Sequence, residues 1–278
     1  MELEPRTLRE IVEGFLNEDI GHGDITTELV VDPNLQGTAR IEAREGFVVA
    51  GIDAARACFE ILDGSIGWET LTPDGTRVSA GGTIARVSGP LAVLLTGERT
   101  ALNLLARLSA VATLTARFVD AIRGTKARII DTRKTTPGMR ILEKAAVRTG
   151  GGGNHRFGLD DGILIKDNHV RAAGGVSEAV KRARNAAPHG LVVEVEVTTL
   201  EELDQALAAG APAILLDNMD PETVRLAVDR ARGEAVLEAS GGMDLDNVRA
   251  YAEAGVDLIS IGALTHSAGS VDISMEVE

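Results

Sequence analysis

The sequence is poor in cysteine, in aromatic residues and in positive charge, and each shortage excludes something. A single cysteine, Cys58, rules out an internal disulfide. Its place in the apolar stretch Ala54 to Leu62 makes it a small core residue and fits a reducing compartment. Aromatic residues are 3% of the 278 positions, so the core must be packed by aliphatic side chains. Lys and Arg number 28 against 42 Asp and Glu, a net charge of -14, which argues against a nucleic-acid surface and against binding to anionic membranes. Any anionic ligand must then be gripped by a local cluster of cations. No stretch is read as approaching the roughly 18 apolar residues that a bilayer-spanning helix needs. With the polar, acidic opening MELEPRTLRE, the expectation is a cytoplasmic protein with no membrane partner. At 44% hydrophobic and 25% charged the composition is that of a folded chain, long enough for one large α/β barrel or for two unequal domains.

From about Arg128 onward, short runs of Ile, Val and Leu alternate with helical patterns, the signature of repeated βα units on a parallel sheet. The expected strands are Arg128 to Asp131, Ile163 to Lys166, Leu191 to Val197, Ala213 to Asp217, Ala235 to Ser240 and Leu258 to Gly262. Helices are expected over Val176 to Ala187, Leu200 to Ala209, Pro221 to Ala231 and Leu245 to Ala254. Four strands start at Leu191, Ala213, Ala235 and Leu258, spacings of 22, 22 and 23 residues that suit compact βα units. An open doubly wound sheet satisfies the same spacing. A barrel is preferred because charged or glycine-rich residues end nearly every strand, where barrel enzymes assemble their sites. The earlier residues read as a smaller α+β domain, with helices near Leu8 to Leu16 and Ala54 to Leu62 and a strand near Gly37 to Arg44. A long helix over Leu91 to Ile122 leads onward, and the tail VDISMEV alternates like a strand.

The densest positive region is Asp131-Thr132-Arg133-Lys134-Thr135-Thr136 after the first of these strands. His155-Arg156 and Lys166-Asp167-Asn168-His169 follow. Arg133, Lys134, His155, Arg156 and Lys166 thus converge, in expectation, on one rim as a receptor for carboxylates or phosphates. Glu194 and Glu196 stand two apart in LVVEVEV and so point to the same face, the barrel interior. Buried carboxylates need neutralising, with Lys134, Lys166 or a metal ion as the candidates. Asp217, closing AILLD, adds a hard oxygen ligand of the kind that suits Mg²⁺. The strands AVLEAS and LISIG run into Ser240-Gly241-Gly242 and Ile261-Gly262-Ala263, loops able to cradle a phosphate with backbone N–H groups. Gly150 to Gly153 read as a mobile loop or lid, and His22 as a turn residue. Arg99, preceding a helical run, reads on composition alone as a solvated surface charge.

The stretches GDITT, GERTALNLL, DTRKTTPGMR, GGGNHRFGLDDGILIKDNH, VEVEV, ILLDN, EASGG and GVDLISIGALTHS resemble, in order and over nearly the whole chain, the quinolinate phosphoribosyltransferase family. The resemblance implies an α/β fold with an N-terminal α+β sandwich-like domain (1–112) and an open TIM-like α/β barrel (113–265), while the strand-like alternation of the tail (266–278) is what suggests its return to the first domain's sheet. It implies transfer of the phosphoribosyl group of phosphoribosyl pyrophosphate to quinolinate with decarboxylation, using Mg²⁺ and no organic cofactor. It further implies a homodimer with shared active sites, alone or as a hexamer of dimers.

By the same resemblance, Arg99 reaches quinolinate in the partner's site, Arg133, His155, Arg156 and Lys166 complete the quinolinate set, and Thr132 is a further substrate-binding residue. Lys134, Glu196 and Asp217 are the catalytic group around ribose and pyrophosphate, with Glu196 and Asp217 in reach of the metal. Ser240 to Gly242 and Ile261 to Ala263 take the phosphate. Rival readings are a paralogue acting on another aromatic acid, an aldolase using Lys134 or Lys166 as a Schiff-base amine, and a binding protein without turnover.

Overall fold

A computed structural model describes residues 4–278, so the first three residues of the polar N-terminal segment lie outside the described residues. The chain divides into two compact units. One is Met1–Ala116 with Thr136–Gly151 and Ser267–Glu278, and the other is Arg117–Thr135 with Gly152–His266.

The first unit opens with α1 (Pro5–Ile20), α2 (Ile25–Val30), β1 (Gln36–Ala43), β2 (Phe47–Val48), α3 (Ile52–Leu62), β3 (Gly67–Thr70), β4 (Arg77–Val78) and β5 (Thr83–Pro90). Asp24 starts α2 by accepting the Thr27 N–H at 3.0 Å, a side-chain cap that satisfies one of the helix's orphan donors. In β1 the apolar Ala39, Ile41 and Ala43 are buried while Arg40 and Glu42 face outward, the period-two pattern of a strand covered on one face.

The helix α4 (Leu91–Ala121) follows, and the expected division at 112/113 falls inside it. By length and composition α4 is the one helix among the described residues able to cross a membrane, which corrects the expectation that no stretch approaches that length. Leu94, Ala101, Leu105 and Val111 along it are fully buried in the protein, so its apolar character is that of a core helix.

In the second unit, β6 (Arg128–Ile130) comes first; the chain then makes α5 (Arg140–Thr149), which belongs to the first unit. The second unit continues with β7 (Ile163–Ile165), α6 (Asp167–Ala173), α7 (Val176–Ala186), β8 (Val193–Val197), α8 (Leu200–Ala208), β9 (Ala213–Asp217), α9 (Pro221–Ala231), β10 (Val236–Ser240), α10 (Val248–Ala254), β11 (Leu258–Ser260) and α11 (Ala263–His266). Its strands form a six-stranded parallel sheet in the order β6-β11-β10-β9-β8-β7. The consecutive strands β6 and β7 are therefore the two free edges, which makes this an open α/β barrel. The helices start on caps written in the sequence: Thr199 accepts from Glu202 N–H, and Asp220 from Glu222 and Thr223 N–H.

Back in the first unit, β12 (Ile273–Val277) pairs antiparallel with β1, completing a four-stranded sheet in the order β12-β1-β5-β3. The glycine run expected to be mobile is instead packed. A Cβ on Gly150 would collide with the Ala112 carbonyl of α4. Gly153, in the second unit, donates to Ile129 O at 2.8 Å and accepts from Asp131 N at 3.2 Å, lying along the free edge of β6 like a short extra strand.

Candidate functional site

The parallel sheet brings the C-terminal ends of its strands to one rim. Thr132, Arg133 and Lys134 follow β6, Lys166 follows β7, Glu196 lies late in β8 and Asp217 ends β9. Ser240 ends β10, and Ile261-Gly262-Ala263 lead from β11 into α11. Several of these meet. Lys134 packs its stem against Gly262, where a Cβ would stand 2.9 Å from Lys134 Cδ, and its carbonyl accepts from Thr265 Oγ1 at 2.7 Å. Thr132 Oγ1 turns the chain by accepting Lys134 N–H at 3.0 Å.

Burial first, and then the neighbouring Asp217 carboxylate, raise the pKa of Glu196 above the ordinary range, with Lys166 opposing them. Glu196 and Asp217 thus lie close enough to repel one another, with Lys166 near enough to offset them, and their hard oxygens are of the kind that suits a divalent ion. Beside them Gly241 and Gly242 have φ of +99° and +60°, and a Cβ on Gly241 would run into Asn218. Only glycine allows this turn. Asn218 N–H donates to Ser240 O at 2.9 Å, locking the loop to β9.

The cationic residues are arranged less simply than a rim of equals. Arg133 and Arg156 lie near enough for Arg133, after burial, to lower the pKa of Arg156, against the pull of Asp161 and Glu194. The Nε of each is buried with no hydrogen-bond partner. Arg156 Nη1 is anchored on Gly162 O at 3.1 Å. Two buried guanidinium donors of like charge, both unsatisfied, describe a receptor for an anion with two acceptor groups. Lys166 is exposed at the start of α6, where its own N–H donates to His169 Nδ1 at 2.9 Å.

His155 differs from that expectation. Its ring is turned into the barrel, with Nε2 2.9 Å from Glu194 Oε2 and 3.7 Å from Glu238 Oε2. Glu194 therefore finds its partner in His155, where Lys134, Lys166 or a metal was expected. Both residues line a cavity of about 680 Å³ that opens among the N-terminal strand ends, such as Ile163, Ala213 and Val236. Arg99 lies in the first unit on α4, its side chain 63% exposed and 3.6 Å from the carboxylate of its neighbour Glu98.

Two buried groups escaped the reading of the sequence. Glu238 is 1% exposed, and burial, followed by the Glu194 carboxylate, pushes its pKa well up, with His155 opposing. Asp131 is fully buried and accepts from Asn154 Nδ2 at 2.6 Å and His155 N–H at 2.9 Å. The signal existed for Glu238, a lone carboxylate inside the apolar run AVLEAS.

Models of the family described as quinolinate phosphoribosyl transferase match residues 24–109 (N-terminal domain) and 111–276 (C-terminal domain). The chain is 46% identical over 270 residues to a probable nicotinate-nucleotide pyrophosphorylase (carboxylating) of Bacillus subtilis, covering 97% of this chain and 93% of that one. It is 40% identical over 280 residues to the human nicotinate-nucleotide pyrophosphorylase (carboxylating), covering 99% and 93%. A solved nicotinate-nucleotide pyrophosphorylase from Francisella tularensis superposes with a TM-score of 0.95 at 42% identity, covering 100% of this chain and 98% of the other.

Proposed function

The chain belongs to the quinolinate phosphoribosyl transferase family, and from that premise we propose that it transfers the phosphoribosyl group of phosphoribosyl pyrophosphate to quinolinate, releasing pyrophosphate and carbon dioxide and leaving nicotinate mononucleotide. The relatives named for the carboxylating pyrophosphorylase reaction match almost the full chain, which supports this activity and its place in NAD biosynthesis. The observation that carries the substrate is the pair of arginines whose buried Nε atoms have no hydrogen-bond partner. Arg133 and Arg156 offer paired donors at close range, and quinolinate carries two carboxylates on adjacent ring carbons. Lys166 supplies a further positive charge.

Holding the ring by both carboxylates aims its nitrogen at C1 of the ribose, a positioning effect that lowers the barrier by roughly several kcal/mol. As pyrophosphate departs, positive charge grows on the ribose, and the carboxylate of Glu196 stabilises it. Lys134, anchored by its carbonyl on Thr265, holds the leaving group's oxygens. The ribosylated nitrogen is then a pyridinium, an electron sink that permits loss of the adjacent carboxylate. The turns at Ser240 to Gly242 and at Ile261 to Ala263 would bind the 5-phosphate through backbone N–H groups other than that of Ile261, which donates to Ile130 O at 3.0 Å. Glu196 and Asp217 are the residues that would hold Mg²⁺, which when bound neutralises pyrophosphate charge. No organic cofactor enters this scheme. For Arg99 we propose a place in the site of a second copy, as part of a homodimer, alone or as a hexamer of dimers. The cytoplasm is the proposed compartment.

Binding tests the reading directly. Quinolinate should bind at least about tenfold more tightly than nicotinate, which lacks the second carboxylate, and Arg133→Lys should abolish the difference. Equal affinity for the two acids would contradict it. For Arg99, mixing an Arg99→Ala chain with a Lys166→Ala chain should restore activity through hybrid dimers, and no recovery despite subunit exchange would refute the shared site.

A further inference from the structure

We propose that Glu194 is a positioning residue: by accepting from His155 Nε2 it fixes the imidazole ring, and through the ring it fixes Arg156 in the place where that arginine meets the substrate's carboxylates. The inference rests on the function proposed above and adds to it a residue that touches no substrate.

The dipeptide His155-Arg156 is tied down at its backbone, its ring and its guanidinium. The backbone is held by Asp131, fully buried at the end of β6, which accepts the His155 N–H at 2.9 Å, while Gly153 just before it is bonded along the edge of β6. The ring is held on both nitrogens. Nδ1 accepts the backbone N–H of Arg156 at 2.7 Å, so Nδ1 carries a lone pair and the proton of the neutral imidazole belongs on Nε2. That Nε2–H points at Glu194 Oε2, 2.9 Å away. The guanidinium is held by Gly162 O, and Gly162 has no Cβ to push it away, since one would stand 3.0 Å from Arg156 Cβ.

The same Nδ1 contact decides what the buried cluster is. His155, Glu194 and Glu238 present ligand atoms within 4.8 Å of one another, a spacing a metal ion could use. A cation would need the Nε2 lone pair, and that nitrogen already carries the proton. The cluster is therefore a hydrogen-bonded brace. If Glu194 could no longer accept, a buried imidazole N–H would be left unsatisfied and the ring would turn to find a partner. Turning the ring breaks the bond that the Arg156 N–H donates to Nδ1, and the arginine shifts with it.

Two measurements test this. Nitrogen NMR of the full chain labelled at its five histidines, with His155 assigned by comparison with His155→Gln, should show the Nε2–H tautomer for His155 at neutral pH. An Nδ1–H tautomer or an imidazolium would overturn the proposal. Kinetically, Glu194→Leu should raise KM for quinolinate roughly ten- to a hundredfold and lower kcat with it, with the KM for phosphoribosyl pyrophosphate unchanged. Glu194→Gln, whose amide oxygen can still accept, should recover most of the loss. Equal increases in both KM values, or no rescue by glutamine, would overturn it. An Nε2–H signature in a chain that does not bind quinolinate would contradict the proposed substrate and not the brace.

Discussion

Arg133 and Arg156 repel one another, and the Nε group of each is buried without a hydrogen-bond partner. A pair of like charges held together with unmade bonds is unfavourable in the free protein and becomes favourable when a dianion enters. Replacing either by lysine keeps the charge but removes the planar fork, and each substitution should lower kcat/KM for quinolinate by about 10- to 100-fold, as the loss of a charged hydrogen bond does. Steady-state kinetics with quinolinate as the varied substrate would show it.

Stability rests elsewhere, in the first unit. Glu143 is fully buried and accepts from Arg107 at 2.8 and 3.2 Å and from Thr136 N and Oγ1 at 2.9 and 2.8 Å. Glu143→Ala strips four donors of their acceptor, Arg107 among them, and should cost about 3 kcal/mol or more in urea unfolding. Arg107→Met, which removes the cation but leaves the Thr136 bonds, should cost less.

The single thiol should be inert in the native protein. Cys58 is fully buried and its pKa is pushed up to about 12 by that burial. A thiol reagent should label it only after unfolding, at the rate of global opening. Rapid labelling of the folded chain would contradict the packing of α3.

Acid stability has an identifiable contributor in Asp257. Burial alone would raise its pKa, but bonds from Leu237 N–H at 2.9 Å and Lys126 Nζ at 2.8 Å bring it below the ordinary value. A depressed carboxylate adds stability that is present above its unfolded pKa, near 4, and is lost as the pH falls through the folded value. Asp257→Asn should therefore lower stability at neutral pH and flatten its decline on acidification. An unchanged slope would show that Asp257 does not contribute.

Much of this was legible in the sequence where period and punctuation coincide. The strand Ala213–Asp217 and the helix Pro221–Ala231 fall on the residues expected of them, because a run of aliphatic residues ends at a carboxylate and an Asp-Pro pair opens the next helix. The charged groups at strand ends were equally plain. The inward turn of His155 was not, since a histidine beside an arginine gives no sign of which way its ring points. Its direction is set by Glu194 and Glu238, 39 and 83 residues away in the chain (194 − 155 and 238 − 155). The glycine run misled for a related reason: Gly150 lacks a side chain because α4 lies against it, a contact that local composition does not record. The length and apolar character of α4 likewise reflect burial that only the fold reveals.

The most direct test of the account is to incubate the protein with Mg²⁺, phosphoribosyl pyrophosphate and quinolinate labelled in its 2-carboxylate, and to measure carbon dioxide and pyrophosphate together. Equimolar release of both, dependent on the metal and absent when nicotinate replaces quinolinate, is the expected result. Pyrophosphate released with another acid, or quinolinate bound without release of either product, would contradict it.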